Sequence, residues 1–224
     1  MKIAYIVTGT TKGLGKSLQD VLIQNDKDVF SINRRNLIDK KFKNFLLDLN
    51  NISQMEEKLH DELGGCFSEC DLIVFVSNAA VLKPLKITSN LTVEEIQSST
   101  HINFIAPIIL LKFLLNQNKE VLAVNITSGA KDSKNKGLSL YSALKLGLYH
   151  FLEIANLENK KLNVMHFNPG LMDTDMQKLL RAKDTDFDRQ KEFTEIYLNN
   201  GLKNTNNVAL ELYSKIENYI HENY

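Results

Sequence analysis

Ile3-Ala4-Tyr5-Ile6-Val7-Thr8-Gly9-Thr10-Thr11-Lys12-Gly13-Leu14-Gly15-Lys16-Ser17-Leu18 runs from a strand-length apolar segment through three glycines into a stretch with helical spacing. Glycine lets a backbone come close to a bulky anion, and the free N–H groups and positive end of the following helix favour that anion. The same pattern also suits a tight packing turn. The turn follows the first apolar run and opens a helix, the context that pyrophosphate binding requires.

Working outward, short apolar runs recur at Val29–Ile32, Phe45–Leu47, Leu72–Val76, Val121–Ile126 and Val164–Phe167. Their length and their β-branched residues suit buried parallel strands. Between them lie amphipathic segments of helical length, Leu14–Gln24, Ile52–Leu63, Val93–His101, Ala106–Leu115 and Ser139–Leu157. Strict alternation predicts an α/β protein with a single doubly wound parallel sheet of the Rossmann kind and helices on both faces. Ligands of such sheets lie beyond the carboxyl ends of the strands.

The chain of 224 residues, 43% hydrophobic, is sufficient for one domain spanning 1–224. The 27 Lys and Arg balance 27 Asp and Glu, so no global field attracts nucleic acid or an anionic membrane. Two cysteines, Cys66 and Cys70, are too few for a disulfide framework or a zinc site. No pair of the five histidines has ligand spacing, and no metal is expected. No leader pattern and no unbroken apolar stretch of ~18 residues is visible, so a cytoplasmic, membrane-free protein is expected.

At the end of the second run, Ser31-Ile32-Asn33-Arg34-Arg35 carries no acid for a free ribose 2′-hydroxyl. Arg34 offers a fork suited to a 2′-phosphate, and Lys12 adds a second cation. NADPH is therefore expected over NADH. Arg35 and Lys16 read better as solvated surface charges.

Tyr141-Ser142-Ala143-Leu144-Lys145 sets a phenol and an ammonium four residues apart, on one helix face. A cation beside a tyrosine favours phenolate and lowers a pKa ordinarily near ~10, which makes Tyr141 an expected acid/base. Ser128 follows the fifth run in Asn125-Ile126-Thr127-Ser128-Gly129.

Together with Thr-Gly-x-x-x-Gly-x-Gly, these residues resemble the short-chain dehydrogenase/reductase family. The resemblance implies that Tyr141 protonates a carbonyl oxygen as hydride arrives, with Ser128 polarising that oxygen. Lys145 would tune Tyr141 and hold the nicotinamide ribose, and Asn103 would hold a relay water. It further implies cofactor contacts from Gly9, Thr11, Lys12, Gly13, Leu14, Gly15, Asp48, Leu49, Asn78, Pro169, Gly170, Leu171 and Thr174. Asp48 serves equally as a turn acid, Asn103 as an ordinary polar helix residue and Thr174 as a helix cap. Ser77-Asn78-Ala79-Ala80 stands where the family carries Asn-Asn-Ala-Gly, and Ala80 adds a methyl there.

The match covers Ile3 to about Gly170, and Asp173-Thr174-Asp175-Met176-Gln177 resembles the sepiapterin reductase-like branch with its bacterial benzil reductases. The family usually ends in a further strand. Here the expected helix Val208–Ile216 is followed only by Glu217–Tyr224, so no sepiapterin-like anchor is carried over. Residues 171–200 mix apolar and charged residues as a helical substrate lid would, or as a plain pair of surface helices. Broadly apolar Ala106–Leu115 and Ser139–Leu157 suit a two-fold homodimer. The leading expectation is an NADPH-dependent reductase of a small ketone or 1,2-dicarbonyl. An alcohol dehydrogenase, a 3-oxoacyl reductase or a non-catalytic NADP(H) sensor are the alternatives.

Overall fold

After Ile3, every residue of β1 (Ile3–Thr8) is buried, so the strand has no solvent face. Ala4 and Ile6 enter one apolar layer, Tyr5 and Val7 the other. A strand covered on both sides reads as a continuous apolar run, as in parallel sheets clad by helices. In the computed structural model, which describes residues 1–35 and 41–224, β1 sits inside a six-stranded parallel sheet ordered β3-β2-β1-β4-β5-β6. The other strands are β2 (Asp28–Asn33), β3 (Lys43–Leu46), β4 (Leu72–Ser77), β5 (Glu120–Ile126) and β6 (Leu162–Phe167). The direction of winding reverses between β1 and β4, which opens a crevice at their carboxyl ends.

Leu14, Leu18 and Leu22 of α1 (Gly13–Gln24) pack with Val208, Leu212 and Ile216 of α8 (Thr205–Asn223) on one face. The other face is covered by α2 (Met55–Leu63), α4 (Ala106–Leu115) and α5 (Ser139–Glu158) through Leu59, Leu110, Leu114, Leu148 and Leu152. Two smaller helices, α6 (Asp175–Leu180) and α7 (Gln190–Leu198), lie in the expected lid segment.

Several boundaries differ from the sequence reading. The third strand begins two residues early and ends at Leu46, and residues 52–54 form a 3₁₀ turn ahead of α2. The expected helices Val93–His101 and Ala106–Leu115 are one continuous rod: α3 (Val93–Thr100) enters α4 through a π-turn at His101–Ile105. Pro107 has no N–H to return to the preceding turn, and the helix widens ahead of it. This rod is long and apolar enough by composition to cross a membrane, although Glu94, Glu95 and Lys112 interrupt it and half of its most apolar stretch is buried in the fold. The last helix is also longer than Val208–Ile216, and among the described residues no strand pairs with the outer edge of β6.

The lid segment has its own apolar cluster, in which Phe187 and Phe193 join Leu82, Leu85, Leu138 and Tyr141. Asp186 fastens it: its N–H donates to Leu85 O at 3.0 Å and its carboxylate accepts from Ile87 N–H at 2.8 Å. Gly137, in the left-handed region at φ +77°, lets the chain pass the Asp186–Phe187 backbone, where a Cβ would come within 2.9 Å.

Leu212 is fully buried between α8 and the sheet. Leu212→Ala is expected to cost about 2–5 kcal/mol in urea unfolding. A loss under about 1 kcal/mol would show that α8 is an appendage and not part of the core.

Candidate active site

The glycine turn is built by mutual bracing. Gly9, at φ +73°, adopts a conformation that suits glycine, and its N–H donates to Ile32 O at 2.9 Å. Asn78 Nδ2 donates to Thr8 O at 2.9 Å and Gly9 O at 3.1 Å. Thr8 Oγ1 accepts from the N–H groups of Asn78 and Ala79. A Cβ on Gly15 would be driven into Gly9 O and Asn78 Nδ2, so the third glycine is a packing requirement. Asn78 is thus a brace of the turn as well as a neighbour of the cavity beyond it.

That cavity, about 920 Å³, runs along the carboxyl ends of the strands from Arg34 to Phe193. Gly9, Thr11, Lys12, Gly13 and Leu14 line it beside the start of α1, where Lys12 supplies no side-chain cap. Uncapped N–H groups at a helix start facing an open cavity fit a dinucleotide's pyrophosphate. Gly15 stays behind, in the contact with Gly9.

Arg34, Asp48 and Leu49 line the end beyond β2 and β3. Asp48 Oδ1 also accepts from Asn50 N–H at 3.0 Å, so it is a turn acid and a cavity residue at once. Arg35 lines the cavity too and is exposed there, as a solvated surface charge would be. Lys16 does pair with Asp20 on the exposed side of α1. Lys12 Nζ lies 2.7 Å from Asp175 Oδ2 and links the glycine turn to α6. The sequence reading missed Asn33. Its buried amide accepts from Thr10 N–H at 2.8 Å and donates to Thr10 Oγ1 and Asn44 Oδ1, fixing the turn from β2. The signal was a polar residue at the end of an apolar strand.

Ser128, Tyr141 and Lys145 meet at the cavity's middle with Asn78, Pro169, Gly170, Leu171 and Thr174. Thr174 caps α6, accepting from Gln177 N–H, and also lines the cavity. Ala80 lines the wall at the altered family motif. Asn103 is elsewhere: its buried amide accepts from Val81 N–H and donates to Val81 O, each at 2.8 Å, and does not reach the cavity. Its carbonyl cannot receive the usual helical bond, because the residue four positions on is Pro107.

Lys145 is buried, donates to Ile126 O at 2.8 Å and has its Nζ 6.0 Å from the Tyr141 ring centre. Burial pushes its pKa down to about 8. Burial pushes the Tyr141 phenol up, and the Ser128 hydroxyl beside it pulls the other way. The expectation of a phenol lowered by Lys145 is therefore corrected: desolvation outweighs an ammonium aimed at a backbone carbonyl. A phenol held protonated can give a proton, and the hydroxyl of Ser128 can hydrogen-bond the atom that receives it. Among the described residues no group of three or more His, Cys, Asp or Glu side chains gathers as a metal site.

The profile of the short chain dehydrogenase family matches residues 3–185. Benzil reductase ((S)-benzoin forming) of Bacillus subtilis (strain 168) is 28% identical over 95% of this chain and 93% of its own length. Sepiapterin reductase of Bos taurus is 25% identical over 95% of this chain and 89% of its own. The crystal structure of the short chain dehydrogenase/reductase YIR035C from Saccharomyces cerevisiae superposes with a TM-score of 0.79 at 23% identity, covering 92% of this chain and 86% of that one.

Lys145 binds fewer protons folded than unfolded between its folded pKa of about 8 and the ordinary value of 10.5. Stability must therefore rise with pH through that window. Relative to Lys145→Met, the cofactor-free wild type is expected to gain on the order of 2 kcal/mol in urea unfolding between about pH 7 and pH 10. A constant difference would mean that Lys145 keeps its ordinary pKa.

Proposed function

Since the chain belongs to the short chain dehydrogenase family, we propose that it is an NADPH-dependent carbonyl reductase acting on a small ketone or 1,2-dicarbonyl. The observation that carries the reading is the convergence of the Tyr141 and Ser128 hydroxyls in one cavity, with burial holding the phenol protonated. Reduction of a carbonyl ends with a proton on oxygen, and a protonated phenol is the form that gives it.

When bound, the cofactor supplies the hydride. Tyr141 gives its proton to the carbonyl oxygen. Ser128 donates a hydrogen bond to the same oxygen, its own lone pair being taken by Ala130 N–H at 3.2 Å. Lys145, its ammonium fixed on Ile126 O, holds the nicotinamide ribose hydroxyls and favours the phenolate left after transfer.

Arg34 and Arg35 at one end of the cavity, with no acid at the end of β2, support a 2′-phosphate. At the other end Leu82, Leu138 and Phe193 line the wall. Met176 Sδ lies 3.9 Å from the Tyr141 hydroxyl. A polarizable, flexible thioether there accommodates flat apolar groups. Similarity to benzil reductase supports a 1,2-diketone. Exposed Leu146, Ile154 and Leu157 on α5 support a homodimer.

NADPH oxidation with benzil tests this reading. Tyr141→Phe is expected to lower kcat by about 10²-fold or more with NADPH binding intact. Arg34→Ala/Arg35→Ala is expected to raise KM for NADPH at least about tenfold and leave KM for NADH nearly unchanged. Equal use of both cofactors by wild type would refute the phosphate reading. Benzil turnover that survives in Tyr141→Phe would refute the proton role.

A further inference from the structure

Beyond the residues that meet the cavity, α5 continues the same stripe toward the surface beside β6: Tyr141 and Lys145 are followed at steps of four by half-buried Tyr149 and exposed Glu153. These two engage His166 of β6. Its ring stacks on Tyr149 with centres 3.9 Å apart and planes at 25°, and its Nε2 lies 3.0 Å from Glu153 Oε1. Its Nδ1 lies 3.1 Å from Nδ2 of Asn125, the residue paired with it on β5. Lys131, in the turn after Ser128, places its ammonium 4.7 Å from the Tyr149 ring centre. One imidazole thus joins the strand that leads to Ser128, the helix that carries Tyr141 and Lys145, and the strand that leads to Pro169 and Gly170.

The hydrogen bonds fix the form of the imidazole. Asn125 Nδ2 is a donor, so Nδ1 accepts and carries no proton. Nε2 then carries the proton and donates to Glu153. Turning the Asn125 amide would instead set a bare Nε2 against the Glu153 carboxylate, two acceptors face to face. Protonation at Nδ1 would set N–H against N–H unless the Asn125 amide turned, and turning would put its NH₂ group into the buried position where Oδ1 now has no partner.

We infer that His166 is a positioning residue for the catalytic helix, competent only as the neutral Nε2–H imidazole, so that a second proton loosens α5 and slows turnover. The inference rests on the carbonyl reductase reading. The charged groups around His166 are Glu153 on α5, Lys131 with its partner Asp132, and Glu211, Lys215 and Glu222 of α8 across the groove outside β6, together with the phenols of Tyr149 and Tyr219. Burial, assisted by Lys131, holds the imidazole pKa below its ordinary value despite Glu153. Tyr141 is raised and Lys145 titrates near about 8. Neither catalytic group therefore changes charge between about pH 5 and pH 7, the range in which histidine does.

The test is the pH profile of kcat at saturating NADPH and benzil for wild type and His166→Gln, with ¹⁵N NMR of the histidines. Glutamine keeps a donor for Glu153 and cannot titrate. Wild-type kcat is expected to fall at least about threefold from pH 7 to about pH 5, while the variant's profile stays flat and KM for NADPH is alike in both. The NMR signal absent from His166→Gln should report an Nε2–H tautomer at pH 7 that gains its proton as kcat falls. Parallel acid limbs in both proteins, or an Nδ1–H or doubly protonated His166 at pH 7, would overturn the inference. The NMR titration needs no turnover and stands even if the variant folds poorly. Absence of benzil reduction with the expected tautomer and titration would count against the reductase reading alone.

Discussion

Gly15 lies against the carbonyl of Gly9 so closely that no side chain fits between them. This contact sets how near α1 starts to the end of β1, and hence how its free N–H groups face the crevice. The turn is held by three groups on two sides. Asn78 braces it from the loop after β4, Asn33 from the end of β2, and Ile32 O receives the Gly9 N–H. Since β1 lies between β2 and β4 in the sheet, these braces come from its immediate neighbours. The phosphate end of the cavity is therefore rigid because the sheet order is what it is.

The chemical end answers to a different constraint. Burying an ammonium costs free energy, and Lys145 has only a carbonyl oxygen as its hydrogen-bond acceptor. Burying a phenol in an apolar cluster resists its ionisation. Both penalties act in the cofactor-free fold, and both are eased by a bound ligand with hydroxyls for Lys145 and an oxygen for Tyr141. Stability is given up at the two groups where binding returns it, a pattern expected of sites built for charge that appears during reaction.

How much of this was legible in the sequence varied by kind of interaction. Doubly buried strands announce themselves as apolar runs, and the sheet's parallel character was readable from Ile3–Thr8 and Leu72–Ser77 alone. Tyr141 and Lys145 were readable because helical spacing is a local property. Asn33, Asn125 and His166 were not, because each matters through a cross-strand or cross-layer partner that sequence distance hides. The spacing suggested two helices, Val93–His101 and Ala106–Leu115, yet the packed layer around Leu110 and Leu114 holds one rod together and the gap is a π-turn.

The segment that carries Phe187 and Phe193 packs against the cavity rather than into the sheet's layers. Phe187, Phe193 and Leu85 form a cluster with Tyr141 and Leu138 that belongs to neither of the two layers flanking the sheet. Its ties to the body at Asp186 are hydrogen bonds to the backbone of Leu85 and Ile87, which constrain where the segment sits and say nothing about its side chains. Replacement of Met176 or Phe193 therefore changes both the cavity wall and the packing around the Tyr141 phenol, while the strand end that holds Ser128 is left as it is. The strand ends are braced by the sheet, whereas the cavity wall opposite them rests on a small cluster that shares Tyr141 with it.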